Sequence, residues 1–133
     1  MRALAAALLL TACAAGGETA CPAGTQSATV AEAYFGRNVR DRDPVSEAEW
    51  RAFLSDIVTP AFPDGLSAVE SLGQWRNRDG RIIQEASKVL VVVLPGADAA
   101  TAQARLRPVE EAWKARFRQE SVMTVFRQAC VGF

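Results

Sequence analysis

The hydrophobic and polar positions along the chain predict four strands separated by helices and turns. The strand predictions cover residues 29–39, 66–75, 81–94 and 121–133. Residues 77–80 separate the second strand from the third, and their Asp-Gly step tolerates the positive φ angles of a hairpin turn. The third strand is apolar at every position from Val89 to Leu94, which indicates a central strand covered on both faces.

The clearest helix is predicted to begin at Ser46. Glu49 follows three residues later, and the pair forms a capping-box pattern. An apolar stripe then recurs at helical spacing, formed by Trp50, Phe53, Leu54, Ile57 and Val58. We expect Pro60 to end this helix and the stripe to lie in the core.

A second helix follows the break at Pro95-Gly96, with Asp98 as its predicted N-cap. Its apolar stripe consists of Leu106, Val109, Trp113 and Phe117. Pro108 lies within this pattern and lacks the N–H that would bond to Ala104, which predicts a kink or a late helix start.

The element order β-α-β-β-α-β predicts an α+β, ferredoxin-like fold over residues 28–133. This fold has a four-stranded antiparallel sheet with two helices on one face, and its strand order is 4-1-3-2. The start of strand one and the end of strand four therefore lie side by side.

The first residues have the layout of a secretory signal. Met1-Arg2 gives a positive start, and residues 3–10 contain no polar side chain. Leu10-Thr11-Ala12-Cys13 resembles the bacterial lipobox, which implies cleavage after residue 12 and a lipid anchor on Cys13. The alternative is a soluble protein with an apolar start and an ordinary cysteine.

The anchor implies a location in the cell envelope, with the membrane as a partner. Ala14, rather than an Asp, follows the cysteine, which favours the outer membrane with the protein facing the periplasm. Residues 13–27 are small and polar and predict a flexible tether between the lipid and the domain.

Export also bears on the remaining cysteines, Cys21 and Cys130. Disulfides persist outside the cytoplasm, and the predicted strand order brings these two residues together, so we expect a disulfide. Two free, buried thiols are the alternative.

Charge and composition exclude several function classes. The chain has 15 basic and 15 acidic residues without a charged block, which argues against nucleic acid as a partner. It contains no histidine, the commonest general base and metal ligand. No phosphate-binding loop, metal motif or nucleophile elbow is present, so no catalytic residue, metal or cofactor is predicted.

Several segments together resemble a bacterial family, Domain of Unknown Function 3574. They include Tyr34-Phe35-Gly36-Arg37, the segment from Ser46 to Trp50, residues 59–66, Gly73-Gln74-Trp75-Arg76, residues 87–92, 119–122 and Cys130-Val131. The resemblance spans residues 28–133. It implies a small exported protein, often a lipoprotein, and assigns no activity.

The candidate ligand-binding residues lie on or beside the predicted sheet. Glu32 and Tyr34 on strand one should neighbour Glu85 and Ser87 on strand three, with Arg37 and Arg76 near strand ends. A carboxylate beside a tyrosine hydroxyl and an arginine can bind a small polar or anionic ligand. The alternative is a solvated sheet face with ordinary cross-strand pairs.

Two further features of the predicted sheet have competing interpretations. Trp75 and Arg76 form either an aromatic and cationic ligand platform or hairpin packing. Lys88 interrupts an apolar strand and is either a buried lysine with a lowered pKa or, as we favour, a lysine paired with Glu85 or Glu120.

Two functional hypotheses follow. The favoured one is a non-catalytic envelope lipoprotein that binds a protein or small-molecule ligand on its sheet face. The alternative is a small enzyme of the dimeric α+β barrel type, with Tyr34, Glu85 and Arg37 in a pocket between two sheets. The apolar strand from Val89 to Leu94 predicts a homodimer that packs through this face, unless residues 37–44 or the N-terminal segment cover it.

Overall fold

The computed structural model describes residues 20–133. The predicted signal peptide, the lipidation site Cys13 and residues 14–19 of the predicted tether lie outside the described residues.

The domain has four strands and two helices in the predicted order. The strands are β1 (Gln26–Gly36), β2 (Ser67–Arg76), β3 (Ile82–Pro95) and β4 (Met123–Val131). Helix α1 has three consecutive parts: an α-helix (Glu47–Phe53), a π-helical turn (Leu54–Val58) and a final α-helical turn (Thr59–Ala61). Helix α2 spans Ala99–Phe117.

The strands form one antiparallel sheet in the order β2-β3-β1-β4. This order confirms the ferredoxin-like arrangement. It also brings the two cysteines together: Cys21 and Cys130 form the predicted disulfide, with their Cα atoms 5.5 Å apart. Strand β1 ends at Gly36, three residues earlier than predicted. The Arg37 N–H still donates to the Ala86 carbonyl of β3, but the Arg37 carbonyl accepts from the Val45 N–H in the loop before α1.

The capping box at the start of α1 is present. The Ser46 hydroxyl accepts a hydrogen bond from the Glu49 N–H, and the Glu49 carboxylate accepts one from the Ser46 N–H. Pro60 does not end the helix as expected. It lies inside the continuous helix, directly after the π-helical turn, and helical bonding continues to Phe62, whose N–H donates to Val58.

Helix α2 begins at Ala99, directly after its N-cap. The Asp98 carboxylate accepts a hydrogen bond of 2.7 Å from the Thr101 N–H. The late start suggested by Pro108 is therefore wrong, and the proline lies inside the helix.

The core lies between the helices and one face of the sheet, and its centre is aromatic. Neighbouring ring centroids in this cluster are 4.4 to 6.0 Å apart, a spacing at which aromatic pairs attract each other. The cluster consists of Phe35, Trp50, Phe53, Trp113 and Phe117. Both helix tryptophans are buried, as predicted. Because this core uses one face of the sheet, the helices leave the other face uncovered.

Candidate functional site

The register of the sheet defines the two faces. Residues that lie opposite each other in neighbouring strands point to the same face. Phe35, Ala33 and Ala31 point to the helices and are buried. The remaining set forms what we call the open face: Val30, Glu32, Tyr34, Val69, Trp75, Glu85, Ser87, Val89, Val91, Val93, Met123, Val125 and Arg127.

The open face is apolar over much of its area and is partly exposed. Val93 is 38% exposed and Met123 is 58% exposed. Residues 37–44 do not cover it, since Val39 and Val45 pack into the core on the helix side. Within residues 20–133, nothing therefore shields this face from a binding partner.

A polar cluster lies within this apolar face. Glu32 is opposite Val91 on β3 and Val125 on β4, so its carboxylate is flanked by valines and its side chain is only 15% exposed. The Tyr34 hydroxyl donates a 2.9 Å hydrogen bond to Glu32 Oε2, and the Arg127 guanidinium forms an ion pair with Glu32 Oε1. The hydrogen bond to the carboxylate raises the pKa of Tyr34 above its ordinary value.

The other two predicted polar residues of β3 lie on the same face but outside this cluster. Glu85 Oε1 accepts a 2.8 Å hydrogen bond from the Asn38 N–H, and its carboxylate lies over Gly36. Ser87 is buried, and its hydroxyl contacts the Glu85 carbonyl at 3.4 Å. These side chains support the end of β1.

The two candidate arginines do not join the polar cluster. Arg37 donates to the Val45 carbonyl at 2.6 Å and to Glu47 at 2.7 Å, and so it connects the loop to α1. Arg76 donates to the Gly80 carbonyl in the hairpin. Trp75 does lie on the open face, 53% exposed, near the hairpin end. The arginine beside the tyrosine is instead Arg127.

Sequence reasoning missed Arg127 because its significance depends on register. The residue lies in an unremarkable stretch of β4, and only the pairing of β4 with β1 places it diagonally beside Glu32. The sequence does contain a signal for this residue. Val125, Arg127 and Ala129 recur every second position, and so they share one face of β4.

Lys88 lies on the opposite, helix-facing side of the sheet. Its side chain is 4% exposed, and its ammonium is 2.8 Å from Glu47 Oε2 and also bonds to Glu70. Burial alone lowers the pKa of Lys88, but the hydrogen bonds to the two carboxylates more than offset it, and the net pKa is raised. The ammonium also lies 5.9 Å from the Trp50 ring centroid.

The predicted partners of Lys88, Glu85 and Glu120, are therefore wrong, and so is the alternative of a lowered pKa. Glu85 belongs to the other face because odd and even positions of β3 alternate. Glu120 instead approaches Arg40 at 3.8 Å. The true partners come from β2 and from the first turn of α1.

Two surface depressions lie among the described residues. One, of about 310 Å³, lies between Phe62, Arg105 and the end of β3 near Val93. Another, of about 300 Å³, lies where residues 24–26 meet the C-terminus. Across residues 20–133 there is no group of acidic or cysteine side chains that could hold a metal ion. In the same range, none of the helices has the length and apolar character needed to cross a bilayer.

The family model described as Protein of unknown function (DUF3574) matches residues 30–133. The chain belongs to this family. The match confirms the resemblance carried by the sequence segments, and it covers β1 from Val30 onward, the other three strands and both helices of the DUF3574 domain. No curated protein matches the chain.

Two solved structures share the fold of this DUF3574 domain. One is a phage SAM lyase in complex with S-methyl-5'-thioadenosine: it is 16% identical with a TM-score of 0.58, and the match covers 87% of this chain and 95% of that one. The other is a phage SAM lyase in the apo state: it is 15% identical with a TM-score of 0.59, and the match covers 88% and 97%. Identities this low show the fold alone.

Proposed function

We propose that this protein is a lipid-anchored envelope protein whose domain is a non-catalytic binding module, with the open face as its binding surface. The observation that carries the proposal is the composition of that face. Partly exposed valines and Met123 surround the charged cluster of Glu32, Tyr34 and Arg127. Ligand sites generally combine an apolar surface with a few placed polar groups.

The cluster favours a ligand or protein segment with an apolar body and an acidic or hydrogen-bonding group. Arg127 is 60% exposed and keeps N–H donors beyond its bond to Glu32, because a guanidinium carries five. A bidentate contact with a carboxylate is the strongest use of such donors. The flanking valines would then exclude water from that contact.

The groups on the open face support binding over catalysis. The chain has no histidine. The Tyr34 hydroxyl already donates to Glu32, and its raised pKa moves it further from the neutral range in which a general base works best. The N-terminal lipobox pattern supports the envelope location and an outer-membrane anchor facing the periplasm.

Site-specific photo-crosslinking of the intact protein in its producing cells tests the surface. A photoreactive residue at Val93 or Met123 should capture the same partner, whereas one at Glu111, which is exposed on α2, should not. Equal capture at all three positions, or none at any, would contradict the open face as the binding surface.

Two charge-reversal variants test whether capture depends on Arg127. Arg127→Glu should abolish capture at Val93, since it replaces the exposed cation of the cluster. The matched control Arg107→Glu changes an exposed arginine on α2 and should leave capture intact. Loss in both variants would indicate a general charge effect instead of a site.

The likeness to the phage SAM lyase favours a second candidate: a small enzyme of the dimeric α+β type that acts on a nucleoside such as SAM. Its acid–base groups would be Glu32, Tyr34 and Glu85 between two sheets packed face to face. Incubation with SAM, followed by chromatography for S-methyl-5'-thioadenosine, tests it. Product formation that depends on Glu32 would replace the binding proposal, and an absence of turnover would remove this candidate.

A further inference from the structure

Strand β2 is an edge of the sheet that the structure leaves bare. It pairs only with β3, over Ser67–Arg76, and most of its residues are exposed. Helix α2 packs mainly against β1 and β4, and neither of these strands is next to β2 in the sheet. A long, straight, uncovered edge strand offers free backbone groups to another strand.

The free backbone groups follow from the hairpin. The Asn77 N–H donates to the Arg81 carbonyl, so odd-numbered residues of β2 bond to β3. The even-numbered residues from Ala68 to Arg76 therefore direct their N–H and C=O groups outward. No proline, lysine or bulge interrupts this row. Its two charged side chains have partners within the chain, since Glu70 bonds to Lys88 and Arg76 donates to the Gly80 carbonyl.

The side chains of β2 add an apolar surface to this edge. Leu72 on the helix side is 68% exposed, and Val69 and Trp75 on the open face are 50% and 53% exposed. The opposite edge differs, since β4 carries Arg127 and Gln128 in its middle and is tied by the disulfide at Cys130. The apolar side chains single out β2 as the unprotected edge.

We propose that β2 pairs antiparallel with β2 of a second copy of this chain, about a twofold axis at Leu72. The two four-stranded sheets would then form one continuous sheet. The pairing of the two strands does not depend on what the open face binds. It goes beyond the proposed function because it would join the open faces of two copies into one binding surface.

The sequence of β2 is complementary to itself in the antiparallel direction, which identifies the pairing strand as β2 of a second copy. In this register, Leu72 lies opposite the partner's Leu72, and Glu70 lies opposite the partner's Gln74. On the open face, Val69 lies opposite the partner's Trp75, an aromatic and β-branched pair of the kind that stabilises sheets. No like charges lie opposite each other, and the even-numbered residues meet as hydrogen-bonded pairs.

The pairing has a direct consequence for the binding surface. A twofold axis perpendicular to the sheet keeps both open faces on the same side of the continuous sheet. Each Trp75 then lies beside the partner's Val69, so the hairpin end of one copy extends the apolar face of the other.

Light scattering of the intact protein in mild detergent tests the assembly. We expect a dimer for the native chain and for Met123→Lys, and a dimer at least about tenfold weaker for Leu72→Lys, which places two lysines opposite each other. Met123 is an exposed side chain on the open face, so this variant would break a dimer packed face to face.

The same comparison can overturn the proposal. A monomeric native chain would do so, as would loss of the dimer in Met123→Lys with retention in Leu72→Lys. The second outcome would favour the face-to-face packing that the apolar strand β3 predicts. Because Leu72 is exposed, Leu72→Lys should unfold at the same urea concentration as the native chain when both are diluted until they are monomeric, which excludes misfolding as the cause.

Cysteine substitution tests the register. Cα atoms of a hydrogen-bonded antiparallel pair are about 5.5 Å apart, within disulfide range, so Leu72→Cys should give a disulfide-linked dimer under mild oxidation. Gln74→Cys should not, because its two copies would be about 14 Å apart along the strands. The native chain is the control for bonds formed by its own cysteines. Crosslinking at Gln74→Cys, or at neither position, would refute this register.

Discussion

Removal of the disulfide should cost this domain a large part of its stability, although the bond makes little packing contact. The Cys21–Cys130 bond joins residues 109 positions apart. Cys21 is half-buried and Cys130 is exposed, so replacing both with serine opens no cavity in the core. The effect should therefore arise from the unfolded chain, which gains freedom when the bond is absent.

The loop length sets the magnitude. For a loop of this size, the chain-entropy relation gives about 4.8 kcal/mol of stabilisation at 25 °C. Domains of this size are typically stable by about 5–15 kcal/mol, so the double variant would keep between almost none and two-thirds of its free energy of unfolding. The same argument predicts a larger m-value for the variant, because its unfolded chain is more extended.

Urea unfolding of the native chain and of Cys21→Ser/Cys130→Ser, followed by tryptophan fluorescence, measures both quantities. Native protein reduced with a thiol is the matched control, since it lacks the bond but has the native sequence. A loss below about 1 kcal/mol in both samples would refute the entropic account and would indicate an unfolded state that stays compact without the bond.

Substitutions test three other features, namely the buried Lys88, the close approach at Gly36 and the lipid anchor on Cys13. Lys88→Met should destabilise the fold less than Glu47→Gln, because the methionine removes a buried charge whereas the glutamine leaves that charge under-compensated; urea midpoints compare them. Since the pKa of Lys88 is raised in the folded state, its contribution is complete below about pH 10.5 and should be lost as pH rises through the folded pKa, which alkaline unfolding of the native chain and Lys88→Met would reveal. Gly36→Ala should cost about 1 kcal/mol, because the new Cβ would lie 2.6 Å from Glu85 Oε1 and displace that carboxylate, and in a Glu85→Ala background the cost should vanish. Cys13→Ala should accumulate as an unlipidated precursor, whereas mass spectrometry that finds an unmodified Cys13 in the native protein would contradict the lipid anchor.

Features that depend on neighbouring residues were predictable from the sequence. The capping box needs only Ser46 and Glu49, and the structure contains both of its hydrogen bonds. The hairpin turn depends on Asp79-Gly80, and Gly80 has the positive φ that the turn requires. With these elements in order, the strand arrangement and the disulfide followed from the topology of one fold.

Features that depend on register or on the placement of a helix were not predictable in this way. Lys88 pairs with Glu47, 41 residues away, because α1 packs with its first turn over β3. Arg127 meets Glu32 because β4 pairs with β1 in one register out of several that its alternating pattern allows. A shift of two residues would preserve the faces and separate this pair, so hydrophobic periodicity alone cannot choose it.

The apolar strand β3 connects the two proposals. Its even-numbered residues Leu90, Val92 and Leu94 fill the core beneath the helices, which explains one face of the strand. Its odd-numbered residues are not equivalent: Val89 is 9% exposed beside Tyr34 and Val69, whereas Val93 is 38% exposed beyond the start of β2. A face-to-face dimer would have to bury the charged cluster around Glu32 together with the valines, and burying charges carries a desolvation cost. Pairing through the edge of β2 leaves that cluster in contact with water and free for a ligand. The edge arrangement is therefore the one in which dimerisation and binding by the open face can occur together.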